Sequence, residues 1–134
     1  DCVVTLGVKP SYAATGYGYM EIEKVATSGL AAHKVKGFYE KPNLAKAEQY
    51  VSSAQFFWNA GIFFFKVNTM AAHMQRLMPD MWKKISSIKA DLSNLKYVYA
   101  NIAAESLDYG IMEKLTDAVK CIPADWGWSD VGSW

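Results

Sequence analysis

The run of residues 56–67, which reads FFWNAGIFFFKV, limits the fold of this chain more than any other stretch. Residues 62–65 are continuously apolar and lack the alternation of a half-exposed strand, which indicates a strand covered on both faces. A helix is less favoured because Gly61 lies inside the run and weakens helices. We therefore predict a central strand over residues 61–66 of an α/β protein. Asn59, just before it, must find hydrogen-bond partners or lose roughly 1–3 kcal/mol, so it either ties down its own loop or faces a ligand.

Composition restricts the classes of partner. With 134 residues, 51% hydrophobic and 20% charged, the chain is long enough for one globular domain with a core. A formal net charge of only +1, with both signs interspersed, argues against a nucleic-acid partner. No apolar run reaches the roughly 20 residues that span a bilayer, so we expect no membrane partner.

Cys2 and Cys121 lack the spacing of a disulfide framework, which indicates a reducing compartment such as the cytoplasm. His33 and His73 stand apart, which predicts surface or helix positions without metal binding.

Periodicity assigns the rest of the chain to alternating strands and helices. The predicted strands are residues 2–8, a strand that follows Gly18, residues 34–40 and residues 119–122; the predicted helices are residues 44–53, 68–78, 80–92, 97–104 and 106–115. Asn43, Asn68 and Ser106 are the predicted helix N-caps, and Pro123 is expected to end the last strand. The methionine stripe of the second helix, which includes Met70, is predicted to be core. This alternation is typical of an α/β layer fold with a sheet covered on both faces.

Glycines and polar residues cluster where the predicted strands begin or end. They are the Gly16-Tyr17-Gly18-Tyr19 segment, the Glu40-Lys41 pair, Asn59 and Asp130. Taken singly, the glycines suit a turn or bulge, and the Glu-Lys pair suits a solvated ion pair of little energetic value. Because loops at one edge of an α/β sheet meet, we expect the four groups to line one cleft. Backbone N–H groups, an ammonium, an amide and two carboxylates suit a ligand with hydroxyls, a phosphate and a bound divalent cation.

Five sequence blocks extend this pattern along the chain. They are TGYGYM (15–20), FYEKPN (38–43), WNAGIF (58–63), SLDYGIMEK (106–114) and GWSDVGSW (127–134). In their order and approximate spacing, these blocks resemble the bacterial mannose-1-phosphate guanylyltransferases, the GTP-using branch of the sugar-nucleotide pyrophosphorylases. A single block would be weak evidence, but five blocks in register cover essentially the whole chain.

The resemblance implies a Rossmann-like nucleotidyltransferase fold, in which helices cover a mixed sheet. It also implies a reaction in which mannose 1-phosphate attacks the α-phosphorus of GTP with Mg²⁺ present, giving GDP-mannose and pyrophosphate for polysaccharide biosynthesis. The implied partners are mannose 1-phosphate and GTP or GDP-mannose, and a homo-oligomer is compatible with the resemblance. The implied site residues are Gly16, Tyr17 and Gly18 for the sugar nucleotide, Glu40 for sugar hydroxyls, Lys41 for the sugar phosphate, Asn59 for the sugar and Asp130 for the magnesium ion, with Lys41 and Asp130 counted as catalytic.

The resemblance is to part of a domain. The family cradles the triphosphate with a glycine-rich loop that carries Arg and Lys, and this sequence contains no G-x-G-x-x-R-like stretch. Ala60 also stands where the family often has serine. We therefore expect residues 1–134 to be the sugar-phosphate-binding half of a nucleotidyltransferase domain, cut from a longer chain that supplies the N-terminal nucleotide-binding half. That half alone is expected to be inactive and to have an uncovered sheet edge.

Two other functions are compatible with the sequence. A carbohydrate-binding module would use Trp58, Trp126 and Trp128 to stack on sugar rings, although such modules are usually all-β and this sequence predicts several helices. A non-catalytic, regulatory relative would bind a sugar or sugar nucleotide without turnover. The retained Lys41 and Asp130 argue against it, because such a relative need not keep phosphate-binding and metal-binding groups.

Overall fold

The computed structural model describes residues 2–23, 31–115 and 117–131, and within them the strands form a closed ring in the order β1-β4-β2-β3-β5. The strands are β1 (Val3–Val8), β2 (Tyr19–Ile22), β3 (His33–Tyr39), β4 (Phe56–Phe64) and β5 (Val119–Ala124). Strands β1 and β5 run parallel, whereas the other neighbouring pairs are antiparallel, so the sheet is mixed. An open edge was expected, but each of these strands has a neighbour on both sides.

Helices lie in the connections from β3 to β4 and from β4 to β5. They are α1 (Leu44–Ser52), α2 (Val67–Leu77), α3 (Pro79–Ser86), α4 (Leu95–Ala100) and α5 (Leu107–Gly110), with a 3₁₀ turn at Met112–Lys114. The predicted cap at Asn43 is confirmed, because its side chain accepts a hydrogen bond from the backbone N–H of Lys46 at 3.0 Å. Ser106 likewise caps α5 by accepting from the N–H of Tyr109 at 3.2 Å. In the described ranges, no helix is long and apolar enough to cross a membrane.

Several predicted helix and strand ends are wrong. Asn68 is not a cap, because α2 already begins at Val67 with Lys66 in the cap position. The helix predicted over residues 106–115 stops at Gly110, and the chain continues as the 3₁₀ turn of Met112–Lys114. Pro123 does not end β5. Proline has no backbone N–H to donate across a sheet. Because β3 pairs with β5 only at residues 120 and 121, no residue of β3 lies opposite Pro123 to accept such a hydrogen bond.

Strand β4 corrects the prediction of a central strand covered on both faces over residues 61–66. The strand begins earlier and ends at Phe64, and its second half is exposed on one face, with Ile62 42% and Phe64 56% exposed. Only Phe63, which points the other way, packs against the core. The register of the β1–β4 pairing shifts between Thr5, which pairs with Phe63, and Gly7, which pairs with Asn59. This shift forms a β-bulge in β4, in which Gly61 has φ +69°.

Two groups of buried side chains hold the elements together. The larger group takes residues from every strand of the ring and adds Met70, which confirms that the methionine stripe is core. The smaller group, which includes Tyr19 and Trp58, lies where β2 meets β4. Burying one large apolar side chain, such as that of Met70, stabilises a fold by about 1.5–3 kcal/mol. His33 belongs to the buried residues as well, contrary to the predicted surface position, because β3 alternates and residue 33 shares the inward face with Val35.

Candidate functional site

One cleft of about 220 Å³ collects all the site residues predicted from the sequence. Its lining residues are Gly16, Tyr17, Gly18, Glu40, Lys41, Asn59, Ala60, Gly61, Asp108, Trp128 and Asp130. The predicted residues come from four separate stretches of the chain, which the fold brings to one place. The remaining lining residues include Asp108, which the sequence analysis did not assign to the site.

Strand register explains why these stretches meet. Tyr19 on β2 pairs with Tyr39 on β3, so the preceding Gly18 and the following Glu40 lie side by side at one end of the antiparallel pair. Tyr19 also pairs with Trp58 on β4, and the N–H of Asn59 donates to the carbonyl of Gly18 at 2.8 Å. The cleft thus lies at the edge where β2 begins and β3 ends.

The contact between Gly18 and Glu40 requires a glycine. A β-carbon at residue 18 would lie 2.5 Å from Oε2 of Glu40 and 3.6 Å from the β-carbon of Asn59. At Gly16, by contrast, a β-carbon would meet no atom within 4 Å. Gly18 therefore lets the strand entrance approach the carboxylate closely, while Gly16 leaves open space beside it.

Glu40 and Lys41 form an ion pair at the cleft. Lys41 Nζ lies 2.9 Å from Glu40 Oε1, and the side chains are 58% and 11% exposed, respectively. The hydrogen bond that Lys41 donates to Glu40, followed by the negative charge of that carboxylate, raises the pKa of Lys41, so the ammonium stays protonated. Lys41 has φ +46°, a left-handed backbone conformation that is uncommon outside glycine and is often found at functional sites. Because the lysine is exposed, the pair adds little stability, and its ammonium remains accessible to an anion.

Asn59 ties down its own loop, which is one of the two alternatives left open by the sequence, and it also lies where a ligand of the cleft would be reached. Its Oδ1 accepts hydrogen bonds from Thr5 Oγ1 at 3.3 Å and from the N–H of Gly61 at 3.1 Å, which ties down the bulge. Its Nδ2 donates to Asp108 Oδ1 at 3.2 Å. The same residue also lines the cleft. Thr5 is fully buried, so this amide is anchored to the interior of the ring.

Asp108 is the cleft residue that the sequence analysis missed. A carboxylate in the first turn of a helix is explained by the helix dipole alone, but Asp108 also lies in the SLDYGIMEK block that carries the family resemblance. Burial and the nearby charge of Glu40 raise the pKa of Asp108, while hydrogen bonds from its own backbone and from Asn59, and the charge of Lys41, oppose the rise. In the sequence, the signal that marks Asp108 is its position in that block. Its hydrogen bond with Asn59 joins residues that are 49 positions apart, so no local pattern shows it.

Aromatic side chains form one wall of the cleft. The ring centroid of Tyr17 lies 5.2 Å from that of Trp58 and 5.3 Å from that of Trp128, both in edge-to-face arrangements. Such pairs stabilise the segment that carries Trp128 and, two residues later, the exposed Asp130. Trp58 is only 3% exposed, so it packs against the buried side of Tyr17 and Trp128 and offers no face for stacking on a sugar ring. Trp126 lies outside this cleft.

A magnesium site built from protein groups alone is absent from the described residues, which contain no group of three or more His, Cys, Asp or Glu side chains placed to hold a metal. The cleft does gather the carboxylates of Glu40, Asp108 and Asp130. Magnesium is usually held by one or two carboxylates together with substrate phosphates. The carboxylates present therefore fit that kind of shared site.

Comparisons with known proteins agree with this architecture. The family model described as "Nucleotidyl transferase" matches residues 1–134. Mannose-1-phosphate guanylyltransferase 2 of Escherichia coli O157:H7 is 40% identical over 145 residues, covering 98% of this chain and 30% of that protein. The xanthan biosynthesis protein XanB of Xanthomonas campestris is 39% identical, covering 98% of this chain and 29% of that protein.

A solved structure has the same fold. The crystal structure of mannose-1-phosphate geranyltransferase from Thermus thermophilus superimposes with a TM-score of 0.82 at 33% identity, over 98% of this chain and 38% of that chain. The expected nucleotidyltransferase fold is thereby confirmed. The chain spans about 30% of the length of the curated relatives that it matches. Nucleotidyltransferases of this type generally use a divalent metal. Because the family model covers its entire length, the chain belongs to the nucleotidyl transferase family.

Proposed function

We propose that this chain is the sugar-phosphate half of a mannose-1-phosphate guanylyltransferase domain. The whole enzyme would join mannose 1-phosphate to the α-phosphorus of GTP, with release of pyrophosphate and formation of GDP-mannose. The observation that carries this proposal is the single cleft in which Gly18, Glu40, Lys41 and Asn59 meet. Relatives that carry this enzyme name, at up to 40% identity over 98% of the chain, support the choice of mannose 1-phosphate and GTP.

Each group in the cleft has a chemical role suited to a sugar phosphate. The carboxylate of Glu40 accepts hydrogen bonds from sugar hydroxyls, and the exposed ammonium of Lys41 pairs with the phosphate. Asn59 contacts the sugar, while Tyr17 and the glycines on either side of it shape the pocket for the sugar nucleotide. Phosphoryl transfer of this type needs positioning and charge neutralisation more than covalent chemistry, and this cleft supplies both.

Asp130 is the proposed protein ligand of a magnesium ion. The ion would supply positive charge that offsets the charge on the reacting phosphates. The position of Asp130 on the exposed tail, at the rim of the cleft, suits a carboxylate that shares the ion with substrate oxygens. Asp130 and Lys41 are therefore the residues of this chain to which we assign catalysis.

An apolar groove supports the inference that this is half of a domain. The groove has a volume of about 640 Å³ and lies on the outward face of β1, β4 and β5, with Leu6, Phe64, Ile122 and Trp126 among its lining residues. Exposed apolar patches of this kind generally mark contact surfaces. Since the relatives are about three times as long as this chain, we assign the groove to the nucleotide-binding part of the same polypeptide.

Two further expectations remain predictions. Cys2 and Cys121 are both free thiols, which supports a reducing, cytoplasmic compartment. A homo-oligomer, which the family resemblance allows, can be tested by light scattering on the whole protein.

The function can be tested by an assay and a binding measurement made in parallel. We expect the whole protein to form GDP-mannose from GTP and mannose 1-phosphate when Mg²⁺ is present, and residues 1–134 alone to bind mannose 1-phosphate in calorimetry without any transfer. Binding by the whole protein without product formation would instead favour the non-catalytic, regulatory relative. Absence of mannose 1-phosphate binding in both forms would contradict the proposal.

A further inference from the structure

The hydrogen bonds of Asn59 to other described residues leave one N–H of its amide unassigned. The side-chain oxygen is occupied by two donors, Thr5 Oγ1 and the N–H of Gly61. The nitrogen carries two hydrogens, of which one is donated to Asp108 Oδ1. Because Asn59 lines the cleft, the second N–H is available to a ligand, and the cleft presents a donor at this position.

The orientation of this amide depends on Asp108. An amide can be turned over about its terminal bond, which exchanges its oxygen and nitrogen, and neighbouring groups decide which orientation is stable. Thr5 can act either as donor or as acceptor, so it does not decide the orientation. Asp108, when ionised, can only accept a hydrogen bond, and the backbone N–H of Gly61 can only donate one. Together they hold the nitrogen towards α5 and the oxygen towards the bulge.

The segment that carries Asp108 also reaches the second sugar-binding group. Glu113, in the 3₁₀ turn that follows α5, accepts a hydrogen bond from the backbone N–H of Glu40 at 3.3 Å. The α5 segment is itself fixed by the Ser106 cap and by close packing of Gly110 against Met78. One short segment therefore contacts both Asn59 on β4 and Glu40 after β3.

We propose that Asp108 is a positioning residue of the sugar-phosphate cleft, which holds Asn59 as a hydrogen-bond donor beside the acceptor Glu40. This inference rests on the proposed function. The cleft would then select a polyol edge that presents an accepting oxygen to Asn59 and a donating hydroxyl to Glu40. Hydroxyls can do either, but a ligand whose groups at these two places could only donate or only accept would leave Asn59 or Glu40 without a hydrogen bond, and unsatisfied polar groups of this kind reduce affinity.

Two substitutions separate positioning from a direct role of the charge. Asp108→Ala removes the acceptor, whereas Asp108→Asn keeps a side-chain oxygen that can accept from Asn59 but removes the charge. If Asp108 acts by positioning, the asparagine variant retains binding. If Asp108 contacts the ligand or a metal through its charge, the asparagine variant loses binding as the alanine variant does. Asp80→Ala is the matched control, because Asp80 is an exposed first-turn carboxylate of α3 that lies outside the cleft.

The first measurement needs no ligand. In ¹⁵N–¹H spectra of the chain, we expect the side-chain NH₂ signals of Asn59 to shift towards those of a free amide in Asp108→Ala. They should stay near their original positions in Asp108→Asn and in Asp80→Ala. Unchanged Asn59 signals in Asp108→Ala would overturn the inference, whatever the ligand of the cleft is.

The second measurement is calorimetric titration with mannose 1-phosphate. We expect Asp108→Ala to raise Kd about tenfold, on the scale of a lost hydrogen bond to a charged group, and Asp108→Asn to raise it less than about threefold. An equal loss in both variants would overturn the inference. If neither the unsubstituted chain nor the whole protein binds mannose 1-phosphate, the proposed function fails, and the Asn59 spectra alone decide the role of Asp108.

Discussion

A β-carbon at position 18 would lie 2.5 Å from Oε2 of Glu40, so the backbone of Gly18 and the carboxylate of Glu40 are in direct contact. The carboxylate has little freedom to move away. Its side chain is 11% exposed, and its other oxygen is paired with Lys41 at 2.9 Å. The contact follows from the pairing of Tyr19 with Tyr39, which aligns the entrance of β2 with the exit of β3.

The first prediction concerns Gly18→Ala. The added methyl group should displace the Glu40 carboxylate, so affinity for mannose 1-phosphate should fall by at least about tenfold. The free energy of unfolding should fall as well, by about 1–3 kcal/mol, as is usual for overpacking. Calorimetric titration and urea denaturation would measure the two effects. In Gly16→Ala, where the β-carbon meets nothing within 4 Å, both losses should be clearly smaller, and equal losses would contradict the role of this contact.

The second prediction concerns the pH dependence of stability at Asp108. Burial and the charge of Glu40 raise its pKa above the ordinary 3.8, against the opposing charge of Lys41. The folded state therefore binds this proton more tightly than the unfolded state does, and the free energy of unfolding falls as pH rises from below 3.8 through the raised value. The charged carboxylate is thus destabilising at neutral pH.

Asp108→Asn should accordingly raise the free energy of unfolding at pH 7 more than near pH 4, as measured by urea denaturation at both pH values. Asp108→Ala should not stabilise, because it also removes the acceptor for Asn59. An asparagine variant that is destabilised at pH 7 to the same extent as the alanine variant would show that the charge, and not only the hydrogen bond, supports the fold.

The third prediction concerns the two cysteines. Cys121 is fully buried in β5, and burial raises the pKa of its thiol from 9.0 to about 12. Because this thiol is buried and stays protonated at pH 8, a thiol reagent should label the half-buried Cys2 and leave Cys121 intact until the chain unfolds. Because the folded state retains this proton, the free energy of unfolding should also fall as pH rises above 9.0. Cys121→Val should keep the fast-labelling phase unchanged, and rapid labelling of two thiols in the native chain would contradict the buried position.

The sequence was sufficient to identify most of the cleft, because the glycines, Glu40 and Lys41 lie at strand ends that local patterns mark, and because Asn59 and Asp130 lie in the blocks that carry the family resemblance. It was insufficient where the deciding contact is distant along the chain. An apolar run does not reveal which face will be covered, so the exposure of Ile62 and Phe64 was missed. The role of Asp108 depends on a hydrogen bond across 49 residues, and no local pattern carries that information. Ring closure by β3 and β5 is a long-range pairing of the same kind.

The last prediction compares two substitutions in the whole protein. Asp130→Asn should weaken the hold on magnesium, whose charge stabilises the transition state by several kcal/mol, so kcat should fall on the order of a hundredfold or more. Lys41→Ala removes a cation that contacts the sugar phosphate in the ground state and the transition state alike, so its loss should appear mainly as a higher KM for mannose 1-phosphate. Steady-state assays of GDP-mannose formation over a range of Mg²⁺ concentrations would separate the two effects. If Asp130→Asn kept its full kcat at saturating Mg²⁺, the assignment of Asp130 to the metal would lose its support, while the assignment of Lys41 to the phosphate would still depend on its own change in KM.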